Sequence, residues 1–103
     1  MNVELDAFSG RPNPQWTLPF EDAKVIRAKI ASLPKTEDRP NIPDLGFRGF
    51  ILTSGDFSCR VHQGIILIRN GGTISSYSDT AGIQEELFAQ ARKQGFGSVL
   101  DGF

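Results

Sequence analysis

Residues 8–16 read Phe-Ser-Gly-Arg-Pro-Asn-Pro-Gln-Trp, and they limit what the chain can fold into more than any other stretch. Pro12 and Pro14 lack a backbone donor and fix their own φ, and each pushes the residue before it, Arg11 and Asn13, toward extended conformations. The segment is therefore stiff without being helix or ladder strand. Gly10 permits the positive φ that a strand exit needs, and the Asn13 amide can bind nearby backbone. One reading is a proline-stiffened turn from strand to helix, with Trp16 as a core plug. The other is a rigid corner on which Arg11, beside an aromatic, presents its fork to a carboxylate.

The flanking sequence supplies the strand and the helix. Residues 2–8 alternate, with Val3, Leu5 and Ala7 on one face and Glu4, Asp6 and Phe8 on the other, the period of a half-buried strand. Thr17 is placed to cap a helix that has Pro19 in its first turn and Glu21 and Asp22 against the helix dipole. Phe20, Ala23, Ile26 or Arg27, Ile30 and Leu33 recur at three and four residues, which predicts an amphipathic helix over 20–33 stopped by Pro34.

A charged, proline-containing loop follows over 34–46. Residues 47–54 read as a strand and Gly55-Asp56 as a turn. Residues 57–61 and 64–69 form either one strand bulged near Gln63-Gly64 or two short ones. Asn70-Gly71-Gly72 signals a hairpin, with 73–77 returning. Ser78 or Asp79 caps a second helix over 80–94, whose apolar face is Ile83, Leu87 and Ala91 with Phe88 beside it, and Gly95 lies past its end. The tail, with Phe96, Val99, Leu100 and Phe103, is expected to dock and to add a short edge strand.

Strands grouped between two helices predict one α+β domain over 1–103. The architecture is a two-layer sandwich, with a mostly antiparallel sheet of four to five strands and both helices on one face. The other face should then be polar. Yet Phe50-Ile51-Leu52 and Ile65-Ile66-Leu67-Ile68 are apolar on both faces. With Phe8 and Tyr77 they predict an apolar patch away from the helices, of the kind that marks a ligand, a partner or a twin subunit; cover from the long loop or the tail is the alternative.

The single cysteine, Cys59, excludes an internal disulfide, and with a single histidine, His62, it leaves no metal or cofactor expected. The N-terminus is acidic where a signal peptide would be basic, so a mature cytoplasmic chain is expected, without a membrane partner. Eleven Lys and Arg balance twelve Asp and Glu with no basic stripe, which argues against nucleic acid. Cys59 and His62 have Cys-x-x-His spacing, but three positions along one strand put them on opposite faces. Glu4 and Asp6 share a face and could act as paired acids. Neither set makes a recognised catalytic motif.

The opening residues 3–16 resemble those of small bacterial domains that share a Phe-Ser-Gly-Arg-Pro-Asn-Pro-x-Trp signature. Gly46-Phe47-Arg48-Gly49-Phe50 and the block from Ala91 to Gly97 are similar to later blocks of the same group. The resemblance extends to the peptide-binding domains that accompany ribosomally made peptide natural products of crocagin-type pathways. It implies a non-enzymatic module for a peptide or peptide-derived product, an accessory or carrier protein in biosynthesis or immunity. For such a ligand Arg11 is the candidate for a carboxylate, and Phe8, Trp16, Phe50 and Tyr77 for apolar contact. The competing expectations are a homodimer whose apolar patch is its interface, and a small hydrolase or isomerase using Cys59 or the Glu4 and Asp6 pair.

Overall fold

The computed structural model describes residues 1–8, 12–44 and 46–100; Arg11 and Phe103 lie outside them. Six antiparallel strands form one sheet: β1 (Asn2–Leu5), β2 (Gln15–Thr17), β3 (Phe50–Ser54), β4 (Phe57–His62), β5 (Ile65–Asn70) and β6 (Thr73–Ser78), in the order β2-β1-β3-β4-β5-β6. Helices α1 (Phe20–Ala31) and α2 (Ile83–Lys93) pack on one face, and a short helix α3 (Gly97–Leu100) follows. The two-layer α+β sandwich expected from the pattern is present, with six strands in place of four to five.

The additional strand is β2. It sets Trp16 opposite Val3 for a ladder of three residues, extended by Leu5 N–H to the Pro14 carbonyl and Leu18 N–H to the Met1 carbonyl, both at 2.9 Å. Prolines at 14 and 19 flank it, and an edge position tolerates them because no donor is needed on the solvent side. Thr17 accordingly lies in the sheet, and Pro19 stands at the α1 N-cap without a side-chain cap.

Glycine-bearing turns drive the other strands into a meander. Gly55-Asp56, Gln63-Gly64 and Gly71-Gly72 are two-residue loops closed by the pairs Ser54 with Phe57, His62 with Ile65, and Asn70 with Thr73. Gln63 (φ 53°) and Gly64 (φ 73°) both take positive φ, the twist a hairpin turn needs. The stretch around Gln63-Gly64 is thus two strands joined by a turn, not a bulge.

Register then sorts side chains by face. Trp16, Val3, Leu52, Cys59 and Ile68 lie in one cross-strand row, and Leu5, Phe50, Val61, Ile66 and Tyr77 in another, both beneath the helices. They form one core with Ile26 and Ile30 of α1 and Ile83, Leu87 and Ala91 of α2. Phe20, expected on the apolar stripe of α1, is 77% exposed.

The Asp79 carboxylate accepts from the N–H of Ile83 (2.9 Å) and Gln84 (2.8 Å) and caps α2, which starts three residues later than the pattern suggested. Gln84 Oε1 in turn accepts from Gly64 N–H, which ties the β4–β5 turn to α2. Phe96, Val99 and Leu100 dock on the core as expected, but α3 stands where an edge strand was expected. Consecutive contacts of Val99 and Leu100 N–H with the Phe96 carbonyl close it as a turn.

Between α1 and β3 the chain passes around the free edge of the sheet. Lys35 bridges Tyr77 of β6, Arg39 donates to Ser76 Oγ on the outer face, and Asn41 N–H donates to Gln63 Oε1 at 2.7 Å. The helix covers one face and the loop overlies part of the other. Among the described residues no helix is long and apolar enough to cross a membrane.

Candidate functional site

The outer face carries the residues that alternate with the core rows: Gln15, Glu4, Ile51, Arg60, Leu67 and Ser76 in one row, and Thr53, Ser58, Arg69 and Ile74 in the next. Ile51 in the first apolar run and Ile65 and Leu67 in the second are thus the outward members, while Phe50, Leu52 and Ile66 face the helices, fully buried. Ile42 from the loop joins them. Ile42, Ile51, Leu67 and Ile74 with Ser58, Arg60 and Arg69 line a concavity of about 440 Å³, to which Cys59 also contributes from the β4 backbone row. Ile42 and Ile74 remain 39% and 44% exposed. The loop covers part of the apolar face and leaves the rest open.

One end of this surface is fixed by a buried carboxylate. Asp6 follows β1, is 3% exposed, and accepts from Arg48 Nη2 at Oδ1 (2.8 Å) and from Arg60 Nη1 at Oδ2 (2.8 Å). Burial alone would raise its pKa, but the hydrogen bonds from Arg60 and Arg48 and their charges outweigh it and hold the carboxyl below the usual range. Arg60 Nη1 also donates to the Arg48 carbonyl. Its guanidinium is therefore a positioned cation at the concavity. Arg69 has no hydrogen bond or ion pair with the described residues, so its charge is available to a ligand.

Asn13 explains the proline corner. Its Oδ1 accepts from the N–H of Ala7 (3.0 Å) and Phe8 (2.8 Å), and its Nδ2 donates to Glu4 Oε2 (2.9 Å) and Asp6 Oδ1 (3.3 Å). Pro12 and Pro14 hold this amide extended between the two arms of the hairpin. Glu4 and Asp6 do share a side, but both are bound into this brace, and Asp6, held below the usual carboxyl range, is a poor proton donor.

Trp16 and Phe50, suggested for apolar ligand contact, lie in the core. Trp16 Nε1 donates to Gln90 Oε1 of α2 (3.0 Å), with its ring edge-on to Phe50 at 6.3 Å and tilted to Phe96 at 5.9 Å. Their parity in the ladder turns both toward the helices. Tyr77 shares that parity and is half-buried beside the Lys35 bridge. Phe8 is half-buried and engaged with neighbours, and Arg11 lies outside the described residues. The structure brings none of the described four to the concavity. Leu67 belongs to the apolar run that the sequence placed on both faces; Arg60, Arg69 and Ile74 were not singled out, although strand parity from Cys59 and Ile66 would have placed them on the open face.

Cys59 and His62 are not brought together. Cys59 is buried on the helix face, and burial pushes its thiol up to about 12, where it is no nucleophile. His62 ends β4 with its ring 5.4 Å from that of Phe47, and its buried Nδ1 has no hydrogen-bond partner among the described residues. Burial, with the Arg60 charge, lowers its pKa against the opposing effect of a hydrogen bond that the ring donates to the Asn41 backbone. No group of three or more metal-ligating side chains occurs among the described residues. Comparison of the chain with protein-family models, curated proteins and solved structures finds no match.

Proposed function

We propose that this chain is a non-enzymatic binding module for a peptide or peptide-derived product that carries a carboxylate, held in the concavity on the outer sheet face. The observation that supports it is the pairing of outward apolar side chains, Ile42, Ile51, Leu67 and Ile74, with two guanidinium groups on the same surface. An apolar floor supplies burial, and Arg60 and Arg69 supply the fork that a carboxylate recognises. Arg60 is set in place by Asp6 before any ligand arrives, which lowers the ordering cost of binding. The buried thiol of Cys59 and its separation from His62 favour binding over catalysis.

Decanoate, a minimal apolar carboxylate, tests the reading by calorimetry. It binds the wild type; Arg69→Ala weakens it about tenfold, a loss of about 1.4 kcal/mol, and Leu67→Asp abolishes it in a folded chain. Indifference of binding to both substitutions, or a dimer that Leu67→Asp converts to monomer, would overturn it in favour of another site or of a twin subunit on this face.

A further inference from the structure

The outermost strand β6 is only half used. Ser76 C=O accepts from Thr36 N–H (3.0 Å) and Ser78 N–H donates to the Pro34 carbonyl (2.9 Å), on either side of the Lys35 and Tyr77 bridge. Backbone groups of alternate strand residues point to opposite edges, so those of Ile74, Ser76 and Ser78 point away from β5. After Thr36 the chain turns off: Asp38 N–H bonds Thr36 Oγ1 at 3.2 Å, and Arg39 crosses to the Ser76 hydroxyl. Ile74 N–H and C=O and Ser76 N–H are left without backbone partners among the described residues. A notch of about 390 Å³, lined in part by Lys35, Arg39 and Ser75, opens where the loop departs.

We infer that this free half of the β6 edge is a main-chain pairing site for an extended peptide segment, so that the ligand of the adjoining concavity is a peptide bound as an added strand. The inference rests on the ligand reading above and narrows it. Three features carry it. The chain's own segment 34–36 already pairs with the same edge, so the geometry accepts a strand. The side chain of Ile74, paired with Arg69, belongs to the concavity, so a peptide along this edge would lay its outward side chains beside that surface. The opposite edge, β2, is three residues long between prolines, whereas residues 73–75 of β6 carry no proline or charge to repel a strand. A second copy pairing β6 with β6 would meet its own 34–36 segment after about three residues, too short a seam for a standard interface.

The test begins with a random heptapeptide library displayed on phage, panned against the intact chain, and synthesis of the selected peptide. At saturation the peptide slows amide exchange of Ile74 and Ser76 by about tenfold or more, while saturating decanoate does not. Methylating the peptide's main-chain nitrogens at alternate positions abolishes binding for one parity and spares it for the other. Ile74→Pro, which deletes the outward N–H at a position an edge tolerates, weakens the peptide about tenfold relative to Ile74→Ala, and the two variants bind decanoate alike. Failure to select a peptide, or binding that leaves both amides exchanging freely, overturns the edge site. Failure of decanoate to bind the wild type overturns the concavity reading instead. Should Ile74→Pro not fold, the methylated peptides and the exchange rates decide.

Discussion

Arg60 reaches across β3 to place its Nη1 2.8 Å from Oδ2 of Asp6. Removing Asp6 leaves two neighbouring cations, Arg48 and Arg60, without the carboxylate they share. Asp6→Ala is expected to cost about 2–4 kcal/mol, read from urea midpoints, with the sheet most exposed to exchange between β1 and β3. An unchanged midpoint would mean that solvent replaces the carboxylate without loss.

Among the described residues, Asp6 and His62 have lowered pKa values and act in separate pH windows. His62 stays neutral in the folded chain while the unfolded chain takes up its proton below about pH 6.5, so stability declines as pH falls through that value. Asp6 contributes fully above about pH 3.9, the unfolded carboxylate value, and its contribution is lost as pH falls through its lower folded pKa. Denaturation midpoints measured from pH 8 to pH 3 should show both declines, and His62→Gln should flatten only the first.

Trp16→Ala empties a core site between α2, Phe50 and Phe96 and is expected to cost roughly 3–5 kcal/mol. Trp16→Phe should cost less but leave the Gln90 amide unpaired. Thermal melts of both, beside Gln90→Leu, separate the ring's packing from its hydrogen bond.

Gly49 has φ +102°, and a Cβ there would lie 2.5 Å from the Val61 carbonyl oxygen. Backbone strain and backbone contact add, so Gly49→Ala should destabilise by about 2–4 kcal/mol. Gly71→Ala, at φ +63° in open space, should lose less; equal losses would show that the contact is absorbed by movement.

Neighbouring residues of β5 should answer a charge differently. Ile66→Lys buries an ammonium under the helices and should unfold the chain, whereas Leu67→Lys faces outward and should leave it folded. Circular dichroism distinguishes them, and unfolding by both would mean that the outer face is covered within the chain.

The five longer strands were legible because alternation and two-residue glycine turns act locally, and both helices because their apolar spacing and terminal charges agree. β2 was not, since Pro12, Pro14 and Pro19 remove the ladder signature and its pairing depends on Asn13 gripping Ala7 and Phe8 across the corner. The open face was legible as a surplus of apolar residues. Its cations were not, because Arg60 and Arg69 within a strand read as solvated, and the fixing of Arg60 depends on Asp6, fifty-four positions away in sequence. Trp16 and Phe50 drew attention as aromatics near an unusual motif, and their ladder parity sends them to the core.

Each hairpin of the meander closes a two-residue loop, whereas joining Leu5 to Phe50 closes the whole of residues 6–49. By the logarithmic growth of closure entropy, that seam costs about 3 kcal/mol more to bring together than a hairpin does. It is therefore expected to zip last during folding and to part first under strain, dividing the domain into an N-terminal hairpin and a separately cooperative meander. Asp6, hydrogen-bonded through its own backbone to Gly49 and Arg48 and through its carboxylate to both arginines, acts as a latch across this seam. The charge that fixes Arg60 on the outer face is also what holds the two halves in register.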